Sequence, residues 1–324
     1  MQLDDSALLE VRDLKVHFPI RQGVLQRQVG AVRAVDGVGF ELARGETLGL
    51  VGESGCGKST TGLALVGLIE PSAGQVFCDG VDISRAGRAE ALRFRRRLQI
   101  VFQDPFSSLN PRQRIRTILR APLDIHGIGD PSERDARVIA MIERVGLRAD
   151  QAEHFPHQFS GGQRQRIGIA RALMLEPDVI VCDEPVSALD VSVQAQILNL
   201  LADLRSDLGV SLLFISHDLG VVEHIADRVA VMYLGKIVET GPRDTIFSAP
   251  RHPYTELLLD SVPSLDPRQR HSFQASSVEV PSATSKPSGC AFRTRCPLAS
   301  AECAAAEPPL TPRADGRALA CHNR

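Results

Sequence analysis

The chain has 324 residues, 43% of them hydrophobic and 23% charged, and its formal net charge is −2. These values are typical of a folded globular protein and exclude a disordered chain. The near-neutral charge lacks the basic excess of nucleic-acid binders, so we expect no nucleic acid among the partners. The longest uncharged apolar stretch, Ser59–Ile69, is well short of the roughly 18 residues that a membrane-spanning helix needs.

The first ten residues carry acidic side chains and no apolar run followed by a cleavage site, so no secretory signal is predicted. Residues 8–42 alternate between apolar and polar side chains, which predicts an antiparallel sheet, with Leu14, Val16 and Phe18 on one face.

A short apolar strand, Leu48–Val51, then runs into a glycine-rich loop. The apolar stretch 61–69 after that loop predicts a helix. The local order is therefore strand, glycine loop, helix.

Three further apolar runs, at 98–102, 179–182 and 212–215, do not alternate. Such runs are typical of strands buried on both faces, and they predict a mainly parallel central sheet. Apolar residues at helical spacing lie between the last two runs and end at Gly209, which predicts a crossover helix.

Strand patterns are missing from about 105–175, which predicts an inserted helical subdomain. Asp130, Pro131 and Glu133 form the pattern of a helix start with an N-cap, a proline and a capping-box glutamate. An apolar stripe follows and ends at Gly146. A hairpin is predicted at about 230–240.

Residues 52–59 read GESGCGKS and fit the phosphate-loop pattern G-x-x-x-x-G-K-[ST]. Its glycines let backbone N–H groups converge on phosphate oxygens at a helix N-terminus. Lys58 is expected between the β- and γ-phosphates, and the Ser59 hydroxyl on Mg²⁺. The nucleotide-binding residues expected here are Gly52, Glu53, Ser54, Gly55, Cys56, Gly57, Lys58, Ser59 and Thr60.

Asp183 and Glu184 follow the buried strand 179–182. A carboxylate at a neighbouring strand end is what a nucleotide-bound Mg²⁺ needs, so Asp183 is predicted to hold the ion and Glu184 to orient and activate the attacking water. Taken alone, the pair is also compatible with an ordinary charged strand end.

The sequence FSGGQ at 159–163 precedes a good helix former and resembles the signature of ABC ATPases. Taken alone, it reads as a serine-capped turn. Three more segments match that family in order: Gln103 in VFQDP, Asp190 in SALD and His217 in FISHDL. The resemblance implies that the signature residues bind the ATP held by a partner protomer. These residues are Ser160, Gly161, Gly162 and Gln163.

The same resemblance implies roles for single residues. Gln103 would sense Mg²⁺ and the attacking water, Asp190 would contribute from the D-loop, and His217 would contact the γ-phosphate. Phe18 matches the position that stacks on adenine, although a core position is the alternative. The implied fold is α/β: a phosphate-loop ATPase core with a mainly parallel sheet, an N-terminal antiparallel subdomain, an inserted helical subdomain and a small Cys-rich C-terminal extension.

Residues 250–255, PRHPYT, resemble the tail motif of ATPase subunits from peptide and nickel importers. The longer motifs most resemble the F subunit of dipeptide importers. This implies a second, homologous ATPase, two permease subunits and an extracytoplasmic peptide-binding protein as partners. It also implies ATP and Mg²⁺ as cofactors, and a peripheral location on the cytoplasmic face of the bacterial cell membrane. Nickel or another solute remains an alternative cargo.

We expect an ABC ATPase domain at 7–249 and an extension at 250–324, with a linker at 262–289 and a cysteine cluster at 290–321. The cluster consists of Cys290, Cys296, Cys303 and Cys321. Four thiolates suit a [4Fe–4S] cluster or zinc, and unligated thiols are the third alternative.

Two other functions stay open. A soluble ABC protein acting on ribosomes or DNA is disfavoured because the chain has one ATPase core and no long coiled coil. A subunit that binds ATP without hydrolysing it is disfavoured because every motif is intact.

Overall fold

The computed structural model describes residues 7–23, 27–84, 86–261, 281, 284 and 286–324. The predicted linker at 262–289 lies largely outside these residues. The chain divides into two compact units. Unit 1 contains Ala43–Glu46 and Arg85–Ile215, and unit 2 contains Ala7–Leu42, Thr47–Ser84 and Ser216–Arg324.

Twelve strands occur in the described residues. They are β1 (Leu9–Gln22), β2 (Arg27–Leu42), β3 (Thr47–Val51), β4 (Ala73–Cys78), β5 (Val81–Asp82), β6 (Leu98–Val101), β7 (Val179–Asp183), β8 (Ser211–Ser216), β9 (Arg228–Tyr233), β10 (Lys236–Pro242), β11 (Thr311–Pro312) and β12 (Ala318–Leu319).

Ten α-helices occur in the same residues, with short 3-10 helices at Ala149–Glu153 and Pro156–Gln158. They are α1 (Lys58–Leu65), α2 (Arg88–Arg97), α3 (Ile115–His126), α4 (Pro131–Arg144), α5 (Gly161–Leu173), α6 (Val191–Leu208), α7 (Leu219–Ile225), α8 (Arg243–Ser248), α9 (Pro253–Asp260) and α10 (Ala301–Ala305). In this part of the chain no helix combines the length and the hydropathy needed to cross a membrane.

Unit 2 contains an antiparallel sheet of order β2-β1-β4-β5, as the alternation at 8–42 predicts. Leu14 and Val16 are buried on its core side. Phe18 is 42% exposed, so it lies outside the core to which Leu14 and Val16 belong. The pairing of β1 with β2 is irregular between Val16 and His17, where β2 carries one extra residue, Ala34.

A second set of strands in unit 2 has the order β11-β12-β10-β9-β3. β3 is parallel to β9, and β9 and β10 form the predicted hairpin. Every residue of β3 is buried, and the glycine loop follows it directly. The helix predicted at 61–69 is α1, which ends earlier, at Leu65. Gly67 then takes a left-handed φ of 71°, which is incompatible with a continuing helix.

Unit 1 contains the parallel strands β8-β7-β6, as the unalternating apolar runs predict. All residues of β7 and β8 are buried. α6 connects these two strands and ends at Gly209, whose φ is 66°. The crossover helix and its glycine C-cap are therefore as predicted.

Residues 105–175, all of which are described, contain helices and no strand. The Asp130 carboxylate accepts hydrogen bonds from the N–H groups of Ser132 and Glu133, at 2.8 and 3.0 Å. Glu133 in turn accepts from the Asp130 N–H, which completes the capping box. Apolar side chains of α3, α4 and α5 form one core, which includes Val138 and Ile142.

We expect Asp130→Ala to lower the stability of unit 1 by about 1 kcal/mol, because two N–H groups at the start of α4 lose their acceptor. Ser132→Ala is the matched control, since it changes the same turn and keeps the cap. Chemical denaturation followed by circular dichroism measures both. Equal midpoints for the two variants would contradict the cap's contribution.

Candidate nucleotide site

The candidate residues fall into two groups, one in each unit. Unit 2 contains the phosphate loop, Phe18, His217 and the C-terminal cysteines. Unit 1 contains Gln103, the signature 160–163 and the segment from Asp183 to Asp190. Each group has an internal geometry of its own.

Two glycines of the phosphate loop occupy positions where no other residue fits. Gly52 has a φ of 152°, and a Cβ there would lie 2.2 Å from the carbonyl oxygen of Met232. Gly57 has a φ of 110°, and its Cβ would lie 2.1 Å from the carbonyl oxygen of Ala34. Both the backbone conformation and the neighbouring backbone therefore require glycine. The loop is held closely against the strands around it.

Lys58 is the first residue of α1 and is only 4% exposed. Its Nζ donates to the carbonyl oxygens of Gly52 and Glu53, at 2.8 and 3.1 Å. The loop thus curls around a buried ammonium group next to a helix N-terminus. Both features attract anions, which is what a phosphate site requires.

Glu53 is held by the C-terminal part of the chain. Its N–H donates to the Tyr254 hydroxyl at 2.8 Å. Its carboxylate accepts two hydrogen bonds of 2.9 Å from the guanidinium of Arg295. Sequence reasoning missed both partners, although Tyr254 belongs to the PRHPYT motif. Arg295 has no sequence signal of its own.

In unit 1, Asp183 ends β7 and is 7% exposed. Glu184 follows with a φ of 46°, a left-handed conformation that is uncommon for a non-glycine residue. The Nε2 of Gln103 donates to the Glu184 carboxylate at 2.9 Å and lies 3.4 Å from the Ser187 hydroxyl. The structure thus brings Gln103 and Glu184 together. Strained backbone of this kind is often found at functional sites.

The signature begins α5. Ser160 is its N-cap, and Ser160 and Gln163 form a reciprocal capping box, with distances of 3.4 and 3.0 Å. A Cβ on Gly162 would lie 2.4 Å from Cγ1 of Val193, so close packing against α6 requires that glycine. Phe159 is buried in the helical core. Ser160 itself is exposed at the surface of unit 1.

Asp190 is the N-cap residue of α6 and is exposed. The side chain of Gln194 donates to the carbonyl oxygens of Val186 and Leu189, at 3.1 and 3.0 Å, which fixes the loop before Asp190. In unit 2, His217 directly follows β8 and is exposed. The roles predicted for Asp190 and His217 stay predictions.

The C-terminal cysteines lie near one another. The N–H of Cys290 donates to the carbonyl oxygen of Cys303 at 2.8 Å. Burial raises the pKa of Cys290, and the thiols of Cys303, Cys296 and Cys321 add to that rise. Hydrogen bonding to Ser300 lowers the pKa of Cys303. Within the described residues, however, no three His, Cys, Asp or Glu side chains form a group that could hold a metal ion. The [4Fe–4S] and zinc predictions are therefore not confirmed.

We expect Gly57→Ala to abolish ATP binding and to destabilise unit 2, because the added methyl group meets the Ala34 carbonyl. Gly45→Ala is the matched control: its φ is 68°, but a Cβ there meets nothing within 4 Å. The control variant should lose about 1 kcal/mol and keep ATP binding. Thermal unfolding and equilibrium ATP binding measure both. Tight ATP binding by Gly57→Ala would show that the loop does not need this conformation.

Two family profiles match the sequence. The ABC transporter family matches residues 35–187, which include the phosphate loop, the signature and both carboxylates. The C-terminal region of oligopeptide/dipeptide transporters matches residues 238–303. The first match includes the phosphate loop, and the second includes Tyr254 and Arg295, the two residues that hold Glu53.

Curated relatives match over nearly the full length. The oligopeptide transport ATP-binding protein AppF of Bacillus subtilis is 50% identical, over 98% of both chains. The dipeptide transport ATP-binding protein DppF of Haemophilus influenzae is 50% identical, over 98% of this chain and 97% of its own. A solved structure, the dimeric ATP-binding cassette MJ0796 bound to ADP and phosphate, is 27% identical with a TM-score of 0.64, over 72% of this chain and 98% of its own. The chain therefore belongs to the ABC transporter family, as an ATP-binding subunit with the C-terminal region of oligopeptide and dipeptide transporters.

Proposed function

We propose that this ABC ATPase energises the uptake of dipeptides or oligopeptides across the cytoplasmic membrane. The observation that carries the proposal is the presence, on one chain, of a complete ATPase core and the C-terminal region of peptide transporters. The AppF and DppF relatives are 50% identical to this chain over almost the whole length of each. A nickel or other solute importer of the same branch is the alternative.

The phosphate loop binds the triphosphate of ATP. Lys58 is buried beside the loop carbonyls and can move its ammonium from Gly52 and Glu53 to the β- and γ-phosphates. The N–H groups at the start of α1 add hydrogen bonds and partial positive charge. Ser54, Gly55 and the other loop residues contribute backbone N–H groups to phosphate binding, so their side chains can be small.

Glu184 orients and activates the attacking water. Its hydrogen bond with Gln103 fixes the orientation of the carboxylate that acts as the base. His217 contacts the γ-phosphate and keeps that geometry. Phe18 stacks on adenine; its 42% exposure leaves ring surface for a base, unlike a core phenylalanine.

The donor set proposed for Mg²⁺ consists of the Ser59 hydroxyl, the Asp183 carboxylate and the Gln103 amide oxygen. All three are hard oxygen donors, which is the ligand type that this ion prefers. Since Nε2 of Gln103 donates to Glu184, its amide oxygen is the atom available to the ion. Mg²⁺ bound by these oxygen atoms would neutralise charge that develops on the phosphates.

The signature of one protomer covers ATP held by the phosphate loop of another. The exposed Ser160 and the start of α5 supply an anion-binding helix end for this contact. The related MJ0796 cassette is a dimer with ADP and phosphate. The second protomer is a homologous ATPase subunit, and closure of the pair around ATP drives two permease subunits fed by an extracytoplasmic peptide-binding protein. The complex holds the chain peripherally on the cytoplasmic membrane face.

The C-terminal cysteines form the proposed metal site. [4Fe–4S] is placed ahead of zinc because the gaps between these cysteines are wider than the two to four residues usual for structural zinc. Anaerobic purification should give brown protein that contains iron and acid-labile sulfide. Colourless protein with stoichiometric zinc would replace the iron proposal, and protein without either metal would end both.

Glu184→Gln should bind ATP as tightly as the wild type but lose nearly all turnover, because the amide cannot accept the proton of the attacking water. Lys58→Ala should lose ATP binding itself. Lys15→Ala, which removes a lysine of an exposed ion pair, is the control and should keep both ATP binding and turnover. ATP binding and phosphate release by the complex reconstituted with its permeases separate these outcomes. Unchanged peptide uptake by Glu184→Gln would mean that ATP only holds the assembly together.

The transport assignment is tested by affinity purification from membranes. Copurifying permease subunits and ATP-dependent uptake of a labelled dipeptide into proteoliposomes are the expected results. Copurification with ribosomes and absence from membranes would instead favour a soluble ABC protein.

A further inference from the structure

The contact between the phosphate loop and the C-terminal extension has no role in the proposed ATPase mechanism. Glu53 follows Gly52, and a stretch with glycines at positions 55 and 57 follows it. Three hydrogen bonds join Glu53 to the C-terminal part of the chain: its N–H donates to Tyr254, and its carboxylate accepts twice from Arg295. The extension thus contacts the loop at the point where the chain leaves β3.

Arg295 is built into its position. Its side chain is 7% exposed, and its Cζ lies 5.7 Å from the ring centre of Phe292 and 5.9 Å from that of Tyr233. The hydrogen bonds with Glu53 raise the pKa of Arg295, so it stays charged. A bidentate guanidinium–carboxylate pair of this kind fixes direction as well as distance.

Tyr254 holds the loop backbone at the N–H of Glu53. It is fully buried, and its ring lies 4.6 Å from that of Tyr233 and 5.4 Å from that of Phe292. Burial raises the pKa of Tyr254, so the hydroxyl is neutral when it accepts from the Glu53 N–H. The packed aromatic rings fix the position of the Tyr254 hydroxyl. The hydrogen bond to that hydroxyl therefore fixes the direction of the Glu53 N–H.

The cysteine segment sets the backbone of Arg295. The N–H of Arg295 donates to the Phe292 carbonyl at 3.0 Å, and the N–H of Arg293 donates to the Cys290 carbonyl at 3.1 Å. Cys290 is in turn tied to Cys303. A chain of short-range contacts therefore connects the cysteine-containing turn to the phosphate loop.

We propose that Arg295 and Tyr254 are positioning residues that hold the phosphate loop in its ATP-binding conformation. A glycine-rich loop loses much conformational freedom when it closes on phosphates, and prior ordering reduces that cost. The extension therefore sets the affinity of the ATPase core for ATP. This inference rests on the proposed ATP site and assigns two further residues to it.

Binding of Mg-ATP to the full-length chain, measured by displacement of a fluorescent ATP analogue, tests the proposal. Arg295→Ala should weaken binding roughly tenfold, and Tyr254→Phe, which removes one hydroxyl, a few-fold. Arg293→Ala is the matched control: it removes an arginine of the same turn whose side chain bonds Ser288, and it should bind like the wild type.

A double-mutant cycle separates positioning from general damage. Because Arg295 acts through Glu53, Arg295→Ala combined with Glu53→Gln should bind Mg-ATP about as weakly as the worse single variant. In the ATPase assay of the complex, the KM for ATP should rise in Arg295→Ala while kcat at saturating ATP changes little. A merely structural role would lower kcat through loss of folded protein and leave KM unchanged.

Wild-type Mg-ATP affinity in both Arg295→Ala and Tyr254→Phe, or additive losses in the cycle, would overturn the positioning proposal. Those outcomes would leave the ATPase proposal intact as long as the wild type hydrolyses ATP. A wild type that binds no ATP would instead remove the proposed function and the positioning role together.

Discussion

The shape of the phosphate loop depends on two glycines that lie too close to neighbouring backbone for any side chain to fit. A Cβ atom on Gly52 would lie 2.2 Å from the carbonyl oxygen of Met232, and one on Gly57 would lie 2.1 Å from that of Ala34. The loop is thus pressed against the strands beside it, and Lys58 is buried within its curve. The carbonyl groups that bind Lys58 are those of Gly52 and Glu53, in the same closely packed stretch of backbone. The steric constraint at Gly52 therefore determines both the shape of the loop and the position of the lysine.

The residues proposed for hydrolysis are positioned in a different way, by the ends of buried strands. Asp183 and Glu184 stand at the end of a buried parallel strand, where side chains emerge from a rigid frame. Gln103 contacts Glu184 from the loop after a neighbouring strand. The carboxylates thus lie at the end of a buried strand, whereas Gln103 lies in a loop. In the signature, the capped helix start and buried Phe159 likewise fix an exposed serine.

Sequence reasoning succeeded where the signal was local. The capping box at Asp130 and the glycine end of α6 were predictable because each depends on residues within one helical turn. The end of α1 was missed because the left-handed Gly67 overrides the apolar pattern. Arg295 was unpredictable because its contact with the loop joins residues 242 positions apart.

The central claim is that the backbone around Lys58 closes on the phosphates of ATP. Hydrogen–deuterium exchange of the full-length chain, with and without Mg-ATP, tests it directly. The amides of residues 55–60 should exchange much more slowly with Mg-ATP, while those of the capped helix α4 stay unchanged. Bound ATP with unaltered exchange in the loop would contradict the account.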